Sequence, residues 1–400
     1  MSALWYRYTS AILGGLPKER LLALDVFRGL TITAMVLVNN PGSWSYVYPP
    51  LLHAKWHGLT PTDLIFPFFV FIVGVSVAIV AHRNLKQGNN KLSVMKTASI
   101  RALKLFCLGL FLALFYYQVL NPNYSWLEER LLSIRVMGVL QRLALVFFFT
   151  MLIVMYLKRV WQCAIAVTLL LGYWLLMAFL PYQDPQGNVY QGLYEYGNNL
   201  TAWFDSFLFA DKNLYYANAQ PFAFDPEGVL STLPSIAGCL IGVFTGNLLI
   251  DKTYSLTKKC TVMFLSGFGL LVLGYFWSLY FPVNKALWTS SFVLVTSGWA
   301  LLILAALTFL IDMKHYKSWS APFVVFGANA IFFYMFSAVV ERILLMIPAG
   351  DEVLRSWLYV KIFQPLFGNY NGSLLYAVVF LILCYGVMHW LYKRQIFFKV

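Results

Sequence analysis

The chain has 400 residues, of which 60% are hydrophobic and 11% are charged, and its mean hydropathy is +0.70. A soluble domain cannot bury so large a share of apolar side chains, so this composition excludes a soluble globular protein and indicates one solvated by a lipid bilayer. The formal net charge of +13 would suit nucleic-acid binding, but the 29 Lys and Arg residues concentrate in alternate connecting segments between apolar runs. That distribution is typical of membrane topology, and we expect no nucleic-acid partner.

About ten apolar runs are long enough to cross the hydrocarbon core, which takes about 20 residues per helix. Backbone groups in lipid must be paired within the segment, so runs of this length predict helices and an all-α bundle of about ten transmembrane helices. A further segment, 353–370, is expected to be interfacial or re-entrant and would make an eleventh span if it crossed. The predicted spans are 23–40, 64–82, 102–120, 136–157, 162–180, 229–250, 260–281, 290–311, 321–341 and 373–392.

The connecting segments alternate in charge. Most Lys and Arg fall in the N-terminal segment, in the loops after every second span and at the C-terminus, among them Lys18, Arg20 and Lys399. Because Lys and Arg collect on the cytoplasmic side during insertion, both termini are predicted to be cytoplasmic. The apolar stretch 11–16 is too short for the core of a cleavable signal. We therefore expect one integral membrane domain over 1–400, with its longest outer loop at about 181–228.

The first span has polar residues near both ends. It opens with Asp25 and Arg28, an i,i+3 pair that can neutralise itself at the inner interface. It ends with Asn39 and Asn40, directly before Pro41. Such asparagines can simply cap the helix C-terminus, or a side-chain amide can be aimed at a developing oxyanion. The residues by themselves leave both roles open.

The stretch LLHAKWHGLTPTDLIFPFFVF, residues 51–71, places two histidines before an apolar helix. Thr60 before a proline, with Asp63 in the first turn, predicts an N-cap for the second span, so Asp63 has either this structural role or a functional one. His53 and His57 are four residues apart, but the Gly and Pro around them argue against a helix. No third ligand accompanies them, so no metal site is expected. Packing of the loop, or general-base or nucleophilic chemistry, remain as their roles.

Three other features admit a functional and a structural interpretation. The loop 82–104 is rich in basic residues that could bind phosphates, although membrane topology explains them as well. Arg142 lies inside a span, where an arginine is costly and marks a functional site or bridges buried carbonyls. Aromatic residues are dense in 182–224, where they either stack on a sugar or form an interfacial belt. The five cysteines lie in or beside spans and show neither disulfide nor metal-ligand spacing.

A series of blocks along the chain resembles the heparan-alpha-glucosaminide N-acetyltransferase family, the transmembrane acetyltransferases. The blocks are LDVFRG, MVLVNNPG, HAKWHGLTPTDLIFPFFVFIVG, NPNY, RVMGVLQRLALV, DPEGVLSTLPSI, PVNKALW, FGANAIFFY and LYKRQIFFKV. They occur in order over nearly the whole chain, and the similarity favours a bacterial inner-membrane member associated with N-acetylglucosamine use. Relative to the lysosomal form we expect the large N-terminal luminal domain and leading span to be missing. His57 stands where that form has asparagine, and Met137 where many members have proline.

The resemblance implies transfer of acetyl from cytoplasmic acetyl-CoA to the amine of a glucosamine-type sugar on the outer side. The family's catalytic histidine corresponds to His53 and its partner asparagine to Asn39. Residues expected to bind the sugar are His57, Asp63, Trp56 and Trp44. Residues expected to bind acetyl-CoA are Arg28, Arg83, Arg101, Lys104 and Arg142. No metal is expected, and whether the protein forms a homodimer stays open.

An alternative of a different class is an inner-membrane transporter of amino sugars, with His53 and Asp63 in a proton relay. Neither inverted repeats nor paired broken helices are visible in the sequence to support a transporter. The blocks that carry the resemblance cluster around one reaction centre, which favours the enzyme.

Overall fold

The computed structural model describes residues 3–15 and 21–398. The helices are α1 Ala3–Leu13, α2 Leu22–Asn39, α3 Ile65–Lys86, α4 Lys91–Leu114, α5 Val139–Tyr156, α6 Arg159–Phe179, α7 Leu200–Leu208, α8 Thr232–Ile250, α9 Leu256–Trp277, α10 Ser290–Leu307, α11 Ala321–Ala328, α12 Ala330–Met346, α13 Leu354–Leu358, α14 Gln364–Phe367 and α15 Asn369–Lys393. Three two-stranded hairpins pair β1 Tyr182–Gln183 with β2 Val189–Tyr190, β3 Tyr194–Glu195 with β4 Asn198–Asn199, and β5 Pro348–Ala349 with β6 Glu352–Val353.

Among the described residues, nine helices are long and apolar enough to cross a membrane. A tenth span would be the pair Ser318–Ala328 and Ala330–Met346, which bends by 74° at its break. The prediction of an all-α, multi-pass membrane protein is therefore confirmed. The expected segment at 353–370 consists of α13, a π-helical turn and α14, and none of these pieces is long enough to cross a bilayer.

Two predicted spans were wrong in detail. The third span, expected at 102–120, is α4, which begins earlier, at Lys91. Asn90 caps this helix, since its side chain accepts the backbone N–H of Leu92. It ends at Leu114, whose carbonyl accepts the indole N–H of Trp126 at 3.0 Å instead of continuing the helix. The ninth, expected as one helix over 321–341, is broken at Asn329 into α11 and α12.

Close helix crossings hold the centre of the bundle together. In α3, 72% of the most apolar window is buried inside the protein, whereas the corresponding value for α4 is 17%, so α3 is central and α4 peripheral. Gly74 of α3 touches Gly242 of α8, and a Cβ on either residue would collide with backbone of the other helix. Gly29 of α2 lies against the backbone of α11 in the same way. Small residues allow such approaches where hydrophobicity alone cannot drive helix association in lipid.

Both ends of the described chain lie at one face of the bundle, called here the termini face. The hydroxyl of Tyr392 in α15 reaches the carbonyl of Ile12 in α1, and the hydroxyls of Tyr8 and Tyr385 are hydrogen-bonded. The basic residues Lys18, Arg20 and Lys399 lie outside the described residues. The opposite face, called the loop face, carries the loops 40–64 and 180–231, which meet where the indole of Trp56 donates to a backbone carbonyl at 2.8 Å.

Candidate active site

Asp63 forms a capping box with Thr60 at the 3₁₀ turn Pro61–Leu64 that leads into α3, and it also binds His53. Asp63 is 1% exposed, and its Oδ2 accepts the backbone N–H groups of Ala54 and Thr60, each at 3.0 Å. Its Oδ1 lies 2.7 Å from His53 Nδ1. The structural and functional roles considered for Asp63 are thus compatible, because its two oxygens serve different partners.

The imidazole of His53 is half-exposed and has a second charged neighbour. Lys285 Nζ lies 3.0 Å from His53 Nε2, 3.1 Å from Nδ1 and 3.9 Å from Asp63 Oδ1. Burial lowers the pKa of Lys285. Lys285 was not predicted as a site residue, although it stands inside the quoted block PVNKALW. The position of Lys285 in that block was the signal in the sequence that could have identified it.

His53 opens into a cavity of 320 Å³ at the loop face, called here the loop cavity. Asn39, the last residue of α2, lines it, and its side-chain amide has no hydrogen-bond partner among the described residues. The C-cap position is taken by Asn40, whose amide donates to the Val36 carbonyl at 2.6 Å. The loop cavity therefore brings four of the proposed residues together: His53, Asn39, Asp63 and Trp56.

Two other residues proposed for the sugar do not line the loop cavity. Trp44 is 57% exposed on the loop face. His57 is also exposed, and its Nδ1 lies 3.3 Å from the amide nitrogen of buried Asn284. Partial burial lowers the pKa of His57.

One wall of the loop cavity is an ion-pair cluster that sequence reasoning missed. Arg135 donates two hydrogen bonds of 2.6 Å to Asp225 and one to Glu227, and its guanidinium lies 4.7 Å from the ring centroid of Tyr215. Burial alone would lower the pKa of Arg135, but the two carboxylates outweigh it and raise that pKa. For the same reason the pKa of Glu227 is lowered despite its burial. Asp225 and Glu227 stand in the quoted block DPEGVLSTLPSI, but nothing in that block pointed to Arg135 as their partner.

A second cavity, of 740 Å³, lies toward the termini face and is called here the termini cavity. Arg28 and Arg101 both line it, and their guanidinium groups repel each other. Arg101 lies over the ring of Phe147 and has no acidic partner among the described residues. Arg83 and Lys104, which were also proposed for acetyl-CoA, are exposed and do not line this cavity.

Arg142 lines neither cavity. Its residue is completely buried, and its guanidinium donates to the Gly228 carbonyl at 3.2 Å and to Ser231 Oγ. It also lies 4.9 Å from the ring centroid of Trp288. These contacts correspond to the structural one of the two roles considered for Arg142, in which it links buried polar groups of neighbouring segments.

The two cavities approach each other inside the bundle. On α3, Phe66 lines the loop cavity and Phe69 the termini cavity, and on α5 the corresponding residues are Val139 and Leu143. α12 contributes to both cavities in the same way. At 1.5 Å per residue, each pair is separated by roughly one helical turn, about 5 Å. The linings of the two cavities thus come within about one helical turn of each other along these helices.

These features define a multi-pass helical membrane protein in which a His–Asp pair and an amide line one of two cavities that approach each other inside the bundle. Among the described residues, no group of three or more His, Cys, Asp and Glu side chains is placed to hold a metal. The arrangement suits proton transfer and acyl transfer, since an imidazole oriented by a carboxylate is a general base or a nucleophile.

A family model described as "Heparan-alpha-glucosaminide N-acetyltransferase, catalytic" matches residues 20–274, and the chain belongs to this family. It is 28% identical over 425 residues to the heparan-alpha-glucosaminide N-acetyltransferase of Mus musculus, with 96% of this chain and 61% of that protein covered. It is 30% identical over 373 residues to the protein of the same name in Homo sapiens, with coverages of 82% and 54%. The chain thus spans little more than half the length of these curated relatives. None of these matches supports the transporter alternative.

Proposed function

We propose that this protein is an acetyl-CoA-dependent N-acetyltransferase of a bacterial inner membrane. In this proposal acetyl-CoA binds in the termini cavity from the cytoplasm, and the amine of a glucosamine-type sugar binds in the loop cavity on the outer side. The main support is the convergence of the two cavities to within about one helical turn, with His53 and Asn39 on the loop side and Arg28 and Arg101 on the other. Family membership supports the reaction class.

His53 would move the proton. Asp63 accepts the N–H of His53 Nδ1, which places the basic lone pair on Nε2, where the acceptor amine would take the place of the Lys285 ammonium that lies 3.0 Å away. A sugar ammonium gives its proton to Nε2, and the free amine attacks the thioester carbon while the carbon–sulfur bond breaks. The imidazolium then returns the proton to the thiolate, and the new amide nitrogen loses its second hydrogen as a proton to water. If the imidazole accepts the acetyl group first, the same Nε2 is the nucleophile and the amine attacks the acetyl-imidazole.

Asn39 would stabilise the negative charge that develops on the thioester oxygen. Its amide is not engaged by any described residue, and it lies in the same cavity as His53. A donor that is already oriented toward the developing charge stabilises the transition state more than the ground state. Because Asn40 performs the capping, Asn39 is not needed at that position of the helix end.

Charge supports the proposed sidedness of the substrates. The phosphates of acetyl-CoA cannot cross the bilayer, but the thin pantetheine arm can reach along the termini cavity. Arg28 and Arg101 supply two guanidinium groups there, and guanidinium binds phosphate oxygens in a bidentate way. Basic residues of the connecting segments favour the termini face as the cytoplasmic one.

The test uses the purified full chain in proteoliposomes of known orientation. We expect labelled acetyl to appear on glucosamine only when acetyl-CoA is supplied at the termini face and glucosamine at the loop face, and His53→Ala should abolish the product. Accumulation of unmodified amino sugar inside the vesicles, without acetylated product, would instead support the transporter. If the vesicles neither acetylate glucosamine nor take it up, the proposed acceptor is wrong.

A further inference from the structure

The break between α11 and α12 is closed by the C-terminal segment. Asn329, at the break, is 3% exposed and has φ −125° and ψ 40°, outside the helical region. Its amide nitrogen donates to the carbonyl of Ile396 at 2.9 Å, and its amide oxygen accepts the backbone N–H of Phe398 at 2.9 Å. One buried side chain thus fixes the path of residues 396–398 across the opening of the broken helix.

This anchoring presents the ring of Phe398 to the termini cavity. One side of the ring stacks on Phe332 of α12, with centroids 4.2 Å apart and planes 10° apart. Phe398 is nevertheless 49% exposed, and it forms part of the cavity wall. Its neighbour Phe397 packs edge-on against Tyr392 and does not line the cavity. The segment therefore offers one aromatic surface to the cavity while the next residue is turned away.

The same cavity combines this aromatic surface with cationic and amide groups. Arg28 and Arg101 line it, together with Asn84 near the end of α3 and Asn89 and Asn90 of the α3–α4 connection. A ligand that satisfies all of these groups has anionic oxygens, hydrogen-bonding edges and a flat π system. A nucleotide has all three, and stacking of a base on an aromatic ring is favourable for every base.

We infer that Phe398 is the stacking platform for the adenine ring of CoA, and that Asn329 is the positioning residue that holds this platform in the cavity wall. The inference rests on the proposed function. It adds a nucleotide-binding subsite built by the C-terminal segment at the break between α11 and α12, distinct from the arginines that meet the phosphates.

The test separates the nucleotide from the pantetheine arm. The dissociation constants of CoA, of adenosine 3′,5′-bisphosphate and of acetyl-pantetheine, which lacks the nucleotide, are measured on the purified full chain by calorimetry. Phe398→Ala should weaken the two nucleotide ligands by about tenfold or more, within the range that loss of one base–aromatic stack gives. Its affinity for acetyl-pantetheine should change less than twofold, and Phe398→Trp should restore the nucleotide affinity.

Phe397→Ala is the matched control, because it removes an adjacent ring that does not line the cavity. It should leave all three affinities at the wild-type level. Asn329→Ala should reproduce the selective loss of nucleotide affinity, since it releases the platform. Wild-type affinity for CoA in Phe398→Ala, or an equal loss for acetyl-pantetheine, would overturn the adenine platform while leaving the acetyltransferase proposal standing. A wild-type chain that binds none of the three ligands would overturn both.

Discussion

The substitution Asp63→Asn tests the acid–base proposal most directly, because it changes one atom in a fully enclosed group. Oδ2 of Asp63 accepts two backbone N–H groups, from Ala54 and Thr60. An asparagine must keep its oxygen toward these donors, since turning its NH₂ group to them would set donor against donor. The NH₂ group then faces His53 Nδ1, 2.7 Å from the present Oδ1.

The consequence for His53 is a change of tautomer. Facing a donor, Nδ1 becomes the acceptor, and the ring proton moves to Nε2, which can then no longer take the proton of the amine. Removing the carboxylate from a serine-protease triad costs about 10⁴ in turnover for this reason. The ring of His53 is half-exposed and can turn away more easily, so we expect a loss of about 10² to 10⁴. The affinity for acetyl-CoA should stay unchanged.

The assay is the initial rate of labelled acetyl transfer to glucosamine, with the affinity for acetyl-CoA measured in parallel. Thr60→Val is the matched control, since it removes a hydroxyl that lies 3.0 Å from Asp63 Oδ2 without touching the His53 contact. It should retain the rate to within a few-fold. An Asp63→Asn variant that turns over at half the wild-type rate or faster would refute the tautomer argument. A variant that loses acetyl-CoA affinity as well would show that the capping role of Asp63 dominates.

Four further outcomes are expected. His53→Ala should abolish acetyl transfer and still bind acetyl-CoA, whereas His57→Asn should retain most activity because His57 lies outside the loop cavity; the reverse order of rates would contradict the assignment. Asn39→Ala should lower turnover by about 10² to 10³ with a normal melting temperature, and near-normal turnover would remove the oxyanion role. Burial lowers the pKa of Lys285, so a reaction step that needs its ammonium should slow as the pH rises through a value below 10.5. Lys285→Arg should move this fall in rate to higher pH. Identical pH–rate profiles of the two proteins would exclude Lys285 from the reaction. Arg142→Met should leave acetyl-CoA affinity unchanged, and a tenfold weaker affinity would contradict its position outside both cavities.

The sequence alone determined the class of the protein and nearly all of its transmembrane helices. The length of an apolar run is a local property, and the hydrocarbon thickness converts it directly into a span. The loop at 51–71 could also be recognised as irregular, because Gly and Pro restrict the backbone locally. The resemblance singled out His53 and Asn39, which the structure brings into one cavity.

Only the tertiary structure decided the break at Asn329 and the charged neighbours of the site. Asn329 is paired with backbone groups 67 and 69 residues away in the sequence, and Lys285 lies 232 residues from His53. Each of these contacts depends on how distant segments pack. No local pattern in either segment contains that information.

The structure also decided which basic residues line the termini cavity. Arg101 lines it while Lys104, less than one turn along the same helix, does not. In a soluble protein the apolar stripe of a helix reveals the face that is turned inward. In a membrane, lipid and protein interior are equally apolar, so both faces of a helix have similar side chains and the sequence carries little record of its rotation. Helix packing through contacts such as those of Gly74 and Gly29 sets that rotation, and with it the residues that meet the ligand.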